Sequence, residues 1–183
     1  MSATAATAAP ASRGAVSARL ERELADHREA LLAFVATAEG LTADAWNAAR
    51  PGDKWSPAQI AEHLRLTYVT VRADLAGQGG LRVRTKWWQQ RLFRILFLPR
   101  ILKQGRFPKG VPAMREIRPA GGPFDRAQVL AALQREGEGF IAAVRTSTGK
   151  ERVTHPYLGP LGVDEGVRFL TQHIRHHHAQ VGA

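Results

Sequence analysis

With 183 residues, 44% of them apolar, and no uncharged apolar run long enough to cross a bilayer, the chain is sized for one soluble domain with its own core. It has no cysteine, which excludes a disulfide framework, a thiolate nucleophile and a cysteine zinc site. The formal charge of +10 favours anionic partners or surfaces and says nothing about fold.

Residues 1–14 are small, of low complexity and poor in bulky apolar groups, which predicts a disordered tail, with residues 15–183 as the folded domain. The tail lacks the basic start and strongly apolar middle of a secretory signal, so a cytoplasmic location is expected. From Val16 to Glu39, apolar residues at Leu20, Leu24, Leu31, Phe34, Val35 and Ala38 recur at helical spacing and predict an amphipathic helix stopped by Gly40. His27 continues that stripe without a local partner and reads as a packed histidine. Ser56-Pro57-Ala58-Gln59 predicts the next helix start, with a hydroxyl cap, proline at the first helical position and a capping-box glutamine. Ile60, Leu64, Tyr68, Val71 and Leu75 carry its apolar stripe, with His63 on the flank, until the glycines at 77–80.

Between Leu81 and Arg115 ten Lys or Arg residues are met by no Asp or Glu. Trp87, Trp88, Leu92, Ile95, Leu96 and Phe97 interleave with them at helical spacing up to Pro99, predicting an extra basic amphipathic helix within 82–106. It reads as a bundle-extending helix whose arginine stems lie on apolar surface, as a helix on an anionic membrane, or as a nucleic-acid binder whose tryptophans stack bases. Glycine and proline crowd residues 105–123, which predicts a long crossover between the second and third helices of a bundle. Phe124 to Thr146 is the third such helix, capped by Asp125 with Gln128, with Val129, Leu133, Phe140 and Val144 facing inward. Gly137 and Gly139 within it point to close approach of a neighbour. Residues 155–162 read as a turn-rich loop, followed by a last helix capped by Asp164 and packed through Val167, Leu170, Ile174 and Val181. The expected fold class is therefore all-α, with four long amphipathic helices, a long crossover between the second and third, and one added helix.

Four of the chain's seven histidines lie in the six residues His173 to His178. On a helix, His173 and His177 are about 40° apart and one turn removed, on the side that carries Leu170, Ile174 and Val181. That spacing suits part of a metal site inside a bundle, and equally a polar seam with no metal.

Lys54-Trp55-Ser56-Pro57, then Ala61-Glu62-His63-Leu64, and finally His173-x-x-x-His177-x-x-Gln180 together resemble the DinB-like superfamily of four-helix bundles, over about residues 20–181. The resemblance implies that His63, His173 and His177 bind a divalent metal, whether zinc, nickel, iron or manganese, since imidazole discriminates weakly among them. Gln180, Glu62 and Asp74 are near enough along their helices to hold the ligand rings, and His155 lies in a His-Pro segment similar to one in some relatives. Relatives include enzymes that add small thiols to electrophiles, amidase- or isomerase-like members and many of no assigned activity. The implied function is a metal-dependent transformation of a small-molecule substrate, by transfer of an external thiol co-substrate or by hydrolysis. A non-catalytic binding or stress-response protein is the alternative, and a homodimer is compatible with either.

Overall fold

The computed structural model describes residues 11–52, 54–108 and 110–182, with side chains described from residue 18 onward. Most of the expected tail, residues 1–10, lies outside the described residues, whereas residues 11–14 already belong to the first helix. In chain order the elements are α1 (Ala11–Glu39), α2 (Ala43–Asn47), α3 (Pro57–Leu75), α4 (Trp87–Leu96), α5 (Leu98–Gln104), α6 (Arg126–Thr146), β1 (Arg152–His155), β2 (Gly159–Gly162) and α7 (Val163–Val181). A single 3-10 turn at Arg115–Ile117 interrupts the segment between α5 and α6. The protein is mostly helical, and among the described residues no helix is long and apolar enough to cross a membrane.

Four long helices share one core: α3 packs on α6, α1 on α7, and both α1–α6 and α3–α7 are in contact. Their buried faces follow the helical periodicity of the sequence. Leu24, Leu31, Phe34, Val35 and Ala38 of α1 meet Ile60, Leu64, Tyr68 and Val71 of α3, with Val129, Leu133, Phe140 and Val144 of α6 and Val167, Leu170, Ile174 and Val181 of α7. Ser56 closes the α3 start as expected: its Oγ accepts from Gln59 N at 3.2 Å and Gln59 Oε1 accepts from Ser56 N at 3.0 Å. Asp125 likewise accepts from Gln128 N at 2.7 Å. Gly137 marks a close approach of α6 to its neighbours, because a Cβ there would press on the end of the Leu31 side chain and stand 3.5 Å from the Tyr68 ring.

Three local expectations are corrected. Residues 155–162 are not simply a loop: β1 and β2 pair antiparallel, with Val153 opposite Leu161, and both of these are buried. His155 closes the turn between them, its Nδ1 accepting from Tyr157 N at 3.2 Å and Leu158 N at 3.1 Å. Asp164 is not the cap of α7; Gly162 occupies that position and donates to Glu165 Oε2 at 3.3 Å, since the strand runs straight into the helix. The basic helix is two, α4 and α5, because Pro99 ends one hydrogen-bond ladder and sits in the first turn of the next. A short helix went unread: Thr42 caps α2, whose buried Trp46 donates from Nε1 to Phe124 O at 2.9 Å and ties it to the start of α6.

Candidate metal centre

The three histidines singled out in the sequence converge. His63 comes from the inner side of α3, and His173 and His177 from successive turns of α7. Their ligand nitrogens all lie within 4.8 Å of one another, an arrangement that could hold a metal ion. Nε2 of His173 is 3.3 Å from Nε2 of His63 and 3.0 Å from Nε2 of His177. Ligands about 2.0–2.1 Å from a tetrahedral zinc ion stand about 3.3 Å apart, so the spacing fits without rearranging a helix.

Hydrogen bonding decides which nitrogen of each ring is offered. His63 Nδ1 donates to the carbonyl of Ile117 at 2.7 Å, and His177 Nδ1 donates to Gln180 Oε1 at 2.9 Å. A neutral imidazole has one N–H and one lone pair, so both rings present a bare Nε2 towards His173. Nδ1 of His173 is buried and has no hydrogen-bond partner among the described residues. With its proton on Nδ1, His173 would bring a third bare Nε2 to a cation; with the proton on Nε2, one N–H faces two lone pairs. The donor set therefore fits a divalent cation, and the neutral state of the rings favours it. Burial holds all three pKa values below the ordinary 6.5: His177 is pushed down to about 3, His63 is lowered, and His173 lies well below, its neighbours His177 and His63 adding repulsion.

Gln180 is the one further candidate that reaches the cluster. Its Oε1 also accepts from Arg50 Nη2 at 3.4 Å, and its Nε2 donates to His176 Nε2 at 2.9 Å. Arg50 in turn donates to Gln180 O at 2.9 Å and Trp55 O at 2.8 Å, clamping the end of α7 to the loop before α3. Glu62 does not hold a ligand ring; it pairs with Arg65 at 2.7 Å on its own helix. Asp74 does not either, because its Oδ2 accepts from Thr154 N at 2.6 Å and anchors the hairpin to the far end of α3. His155, spent on its turn, stands edge-on to Phe169 with centroids 4.9 Å apart, and Phe169 separates it from His173.

The aromatic walls were not legible beforehand. Trp55 lies 5.0 Å from the His63 ring, and Phe107 lies 5.8 Å from His173 and 4.9 Å from His176 between centroids. The Ile117 carbonyl also escaped notice, because it sits in the glycine- and proline-rich segment where no periodicity operates.

A family model for the DinB superfamily matches residues 23–181. The chain belongs to the DinB superfamily. No curated protein and no solved structure matches it. The match runs from within α1 through the whole of α7, so the DinB assignment contains His63, His173, His177 and Gln180 together.

Proposed function

We propose that this protein is a metal-dependent enzyme of the DinB type, built on the four-helix bundle α1, α3, α6 and α7, with the segment from α4 to the 3-10 turn as its crossover. His63, His173 and His177 bind the divalent metal through Nε2. The observation that carries the reading is the pair of committed Nδ1 protons, on Ile117 O and Gln180 Oε1, which leaves bare Nε2 atoms aimed at a common point. Zinc, nickel, iron or manganese held there supplies a Lewis acid that polarises a substrate oxygen or acidifies a thiol or water. The chain's own residues orient the ligands and dry the site: Gln180 and Arg50 fix the His177 ring, while Trp55, Phe107 and Phe169 cover the imidazoles. Phe107 also lines a surface cleft with Phe97, Arg100 and Arg106, which we assign as the approach of a small-molecule substrate. With no cysteine in the chain, a transferred thiol comes from a co-substrate; hydrolysis is the other chemistry this donor set supports.

Glu62 and Asp74, the two carboxylates of α3 considered as partners of the ligand rings, are bonded elsewhere, which favours as second reading a binding protein that uses the same metal without turnover. Elemental analysis of untagged protein tests the common premise: about one divalent ion per chain is expected, by the chemistry of a three-imidazole site. Unchanged metal content in His173→Ala refutes the ligand set. Turnover of electrophiles with added thiols, lost together with the metal, separates the enzyme from the binding protein.

A further inference from the structure

Seven of the nine exposed large apolar side chains among the described residues fall between Val83 and Val111, and five of them are on α4. Exposure reaches 72% at Trp87, 71% at Ile95 and 50% at Trp88. At about 100° per residue, Trp87, Arg91, Ile95, Trp88, Leu92 and Leu96 succeed one another around half of the helix. The other half faces the protein. Arg94 donates to Pro160 O at 2.8 Å and Glu165 Oε2 at 2.8 Å, Gln90 donates to Thr85 O at 2.9 Å, and Phe93 packs against the core. α4 is thus docked through its more polar half and turns its apolar half outward, the reverse of an ordinary surface helix.

We propose that this face binds a membrane surface rich in anionic lipid, with α4 lying in the plane of the interface. Tryptophans beside aliphatic side chains suit the boundary between headgroups and acyl chains, and cationic flanks draw such a helix to anionic headgroups. Both are here: Leu92, Ile95 and Leu96 beside Trp87 and Trp88, in a segment of ten cationic and no acidic residues from 81 to 115. A second copy of the chain would bring Arg91 and its cationic neighbours against their own kind. Nucleic acid would use the tryptophans and the charge but leave the three aliphatic side chains without a role.

The test uses the full chain with vesicles of phosphatidylcholine alone or with about 30% phosphatidylglycerol, read by co-sedimentation and tryptophan emission. Binding to the anionic vesicles is expected at low salt, weaker as salt rises, with a blue shift lost in Trp87→Ala/Trp88→Ala. Ile95→Asp should lower partitioning at least about tenfold, while Leu32→Asp, on the exposed side of α1, leaves it unchanged. Ile95 is mostly exposed, so circular dichroism and thermal melts of its variant should match the parent. His173→Ala should bind vesicles as the parent does, because the surface is independent of the metal. No binding at low salt overturns the proposal, as does equal partitioning of Ile95→Asp and parent. Stronger binding to single-stranded oligonucleotide, indifferent to Ile95→Asp, overturns it in favour of nucleic acid.

Discussion

His27 and His177 are both buried imidazoles packed among the long helices, and their neighbours differ in kind. Around His27 every proton has an acceptor: Tyr68 OH donates to Nε2 at 2.7 Å, Nδ1 donates to Thr171 Oγ1 at 3.0 Å, and Thr171 donates to Val167 O at 2.8 Å. That chain ends on a backbone carbonyl and asks for nothing more. Around His177 the donors are spent outward, on Gln180 and on the Ile117 carbonyl behind His63, and lone pairs are left facing one another. Burial and residue type are the same at the two places. What distinguishes a structural histidine from a ligand is which end of the ring has been satisfied by the protein.

The largest effect expected from this contrast is on metal affinity. His173→Ala should weaken metal binding by about a thousandfold or more, the cost of a lost imidazole ligand, while apo stability changes less than in His27→Ala because the buried Nδ1 of His173 has no hydrogen bond to lose. Isothermal titration and urea melts of the apo protein check both halves. His27→Ala should do the opposite, costing about 3 kcal/mol of stability by leaving a cavity and the Tyr68 hydroxyl without its acceptor, with metal stoichiometry unchanged below the melt. Loss of metal in a folded His27→Ala protein would erase the distinction.

Acid sharpens the same comparison. Burial lowers the His27 pKa from 6.5 to about 4, so the folded protein takes up this proton less readily than the unfolded chain. Its contribution is complete above pH 6.5 and is lost as pH falls towards 4, on the order of 3 kcal/mol for this ring alone. Urea midpoints of apo protein should drop across that window. In His27→Gln the slope should correspond to about one proton fewer, with the remaining slope due to the other buried histidines. The smallest effect is indirect: Gln180→Ala should reduce metal affinity by about ten- to a hundredfold without removing a ligand, and titration of the variant measures it. An unchanged affinity would mean that the Nδ1 partner of His177 does not matter to the site.

Much of this was readable in the sequence because it is local. The α3 capping box, the Asp125–Gln128 pair and the inward faces of α3, α6 and α7 depend on residues within a turn or two of one another. So does the shared side of His173 and His177, which needs only the helical repeat. His63 entered through a resemblance to a family, since no periodicity relates it to residues 110 positions away. The hairpin was missed because glycine and proline mask a four-residue strand whose signal is the burial of Val153 and Leu161. Glu62 and Asp74 were plausible partners by position along α3, and the competing groups that hold them, Arg65 and Thr154, decide otherwise.

By itself the sequence determined where α3 and α6 begin, which side of each long helix is apolar, and that two imidazoles on α7 share a side. Only the tertiary structure decided that a third imidazole meets them, that the Ile117 carbonyl and Gln180 turn their lone pairs inward, and that His27 is closed off by Thr171 and Tyr68. The physical reason is range. Helical periodicity and capping are set by neighbours along the chain, whereas a ring's tautomer is set by whatever distant backbone or side chain the packed core brings within about 3 Å of its nitrogens.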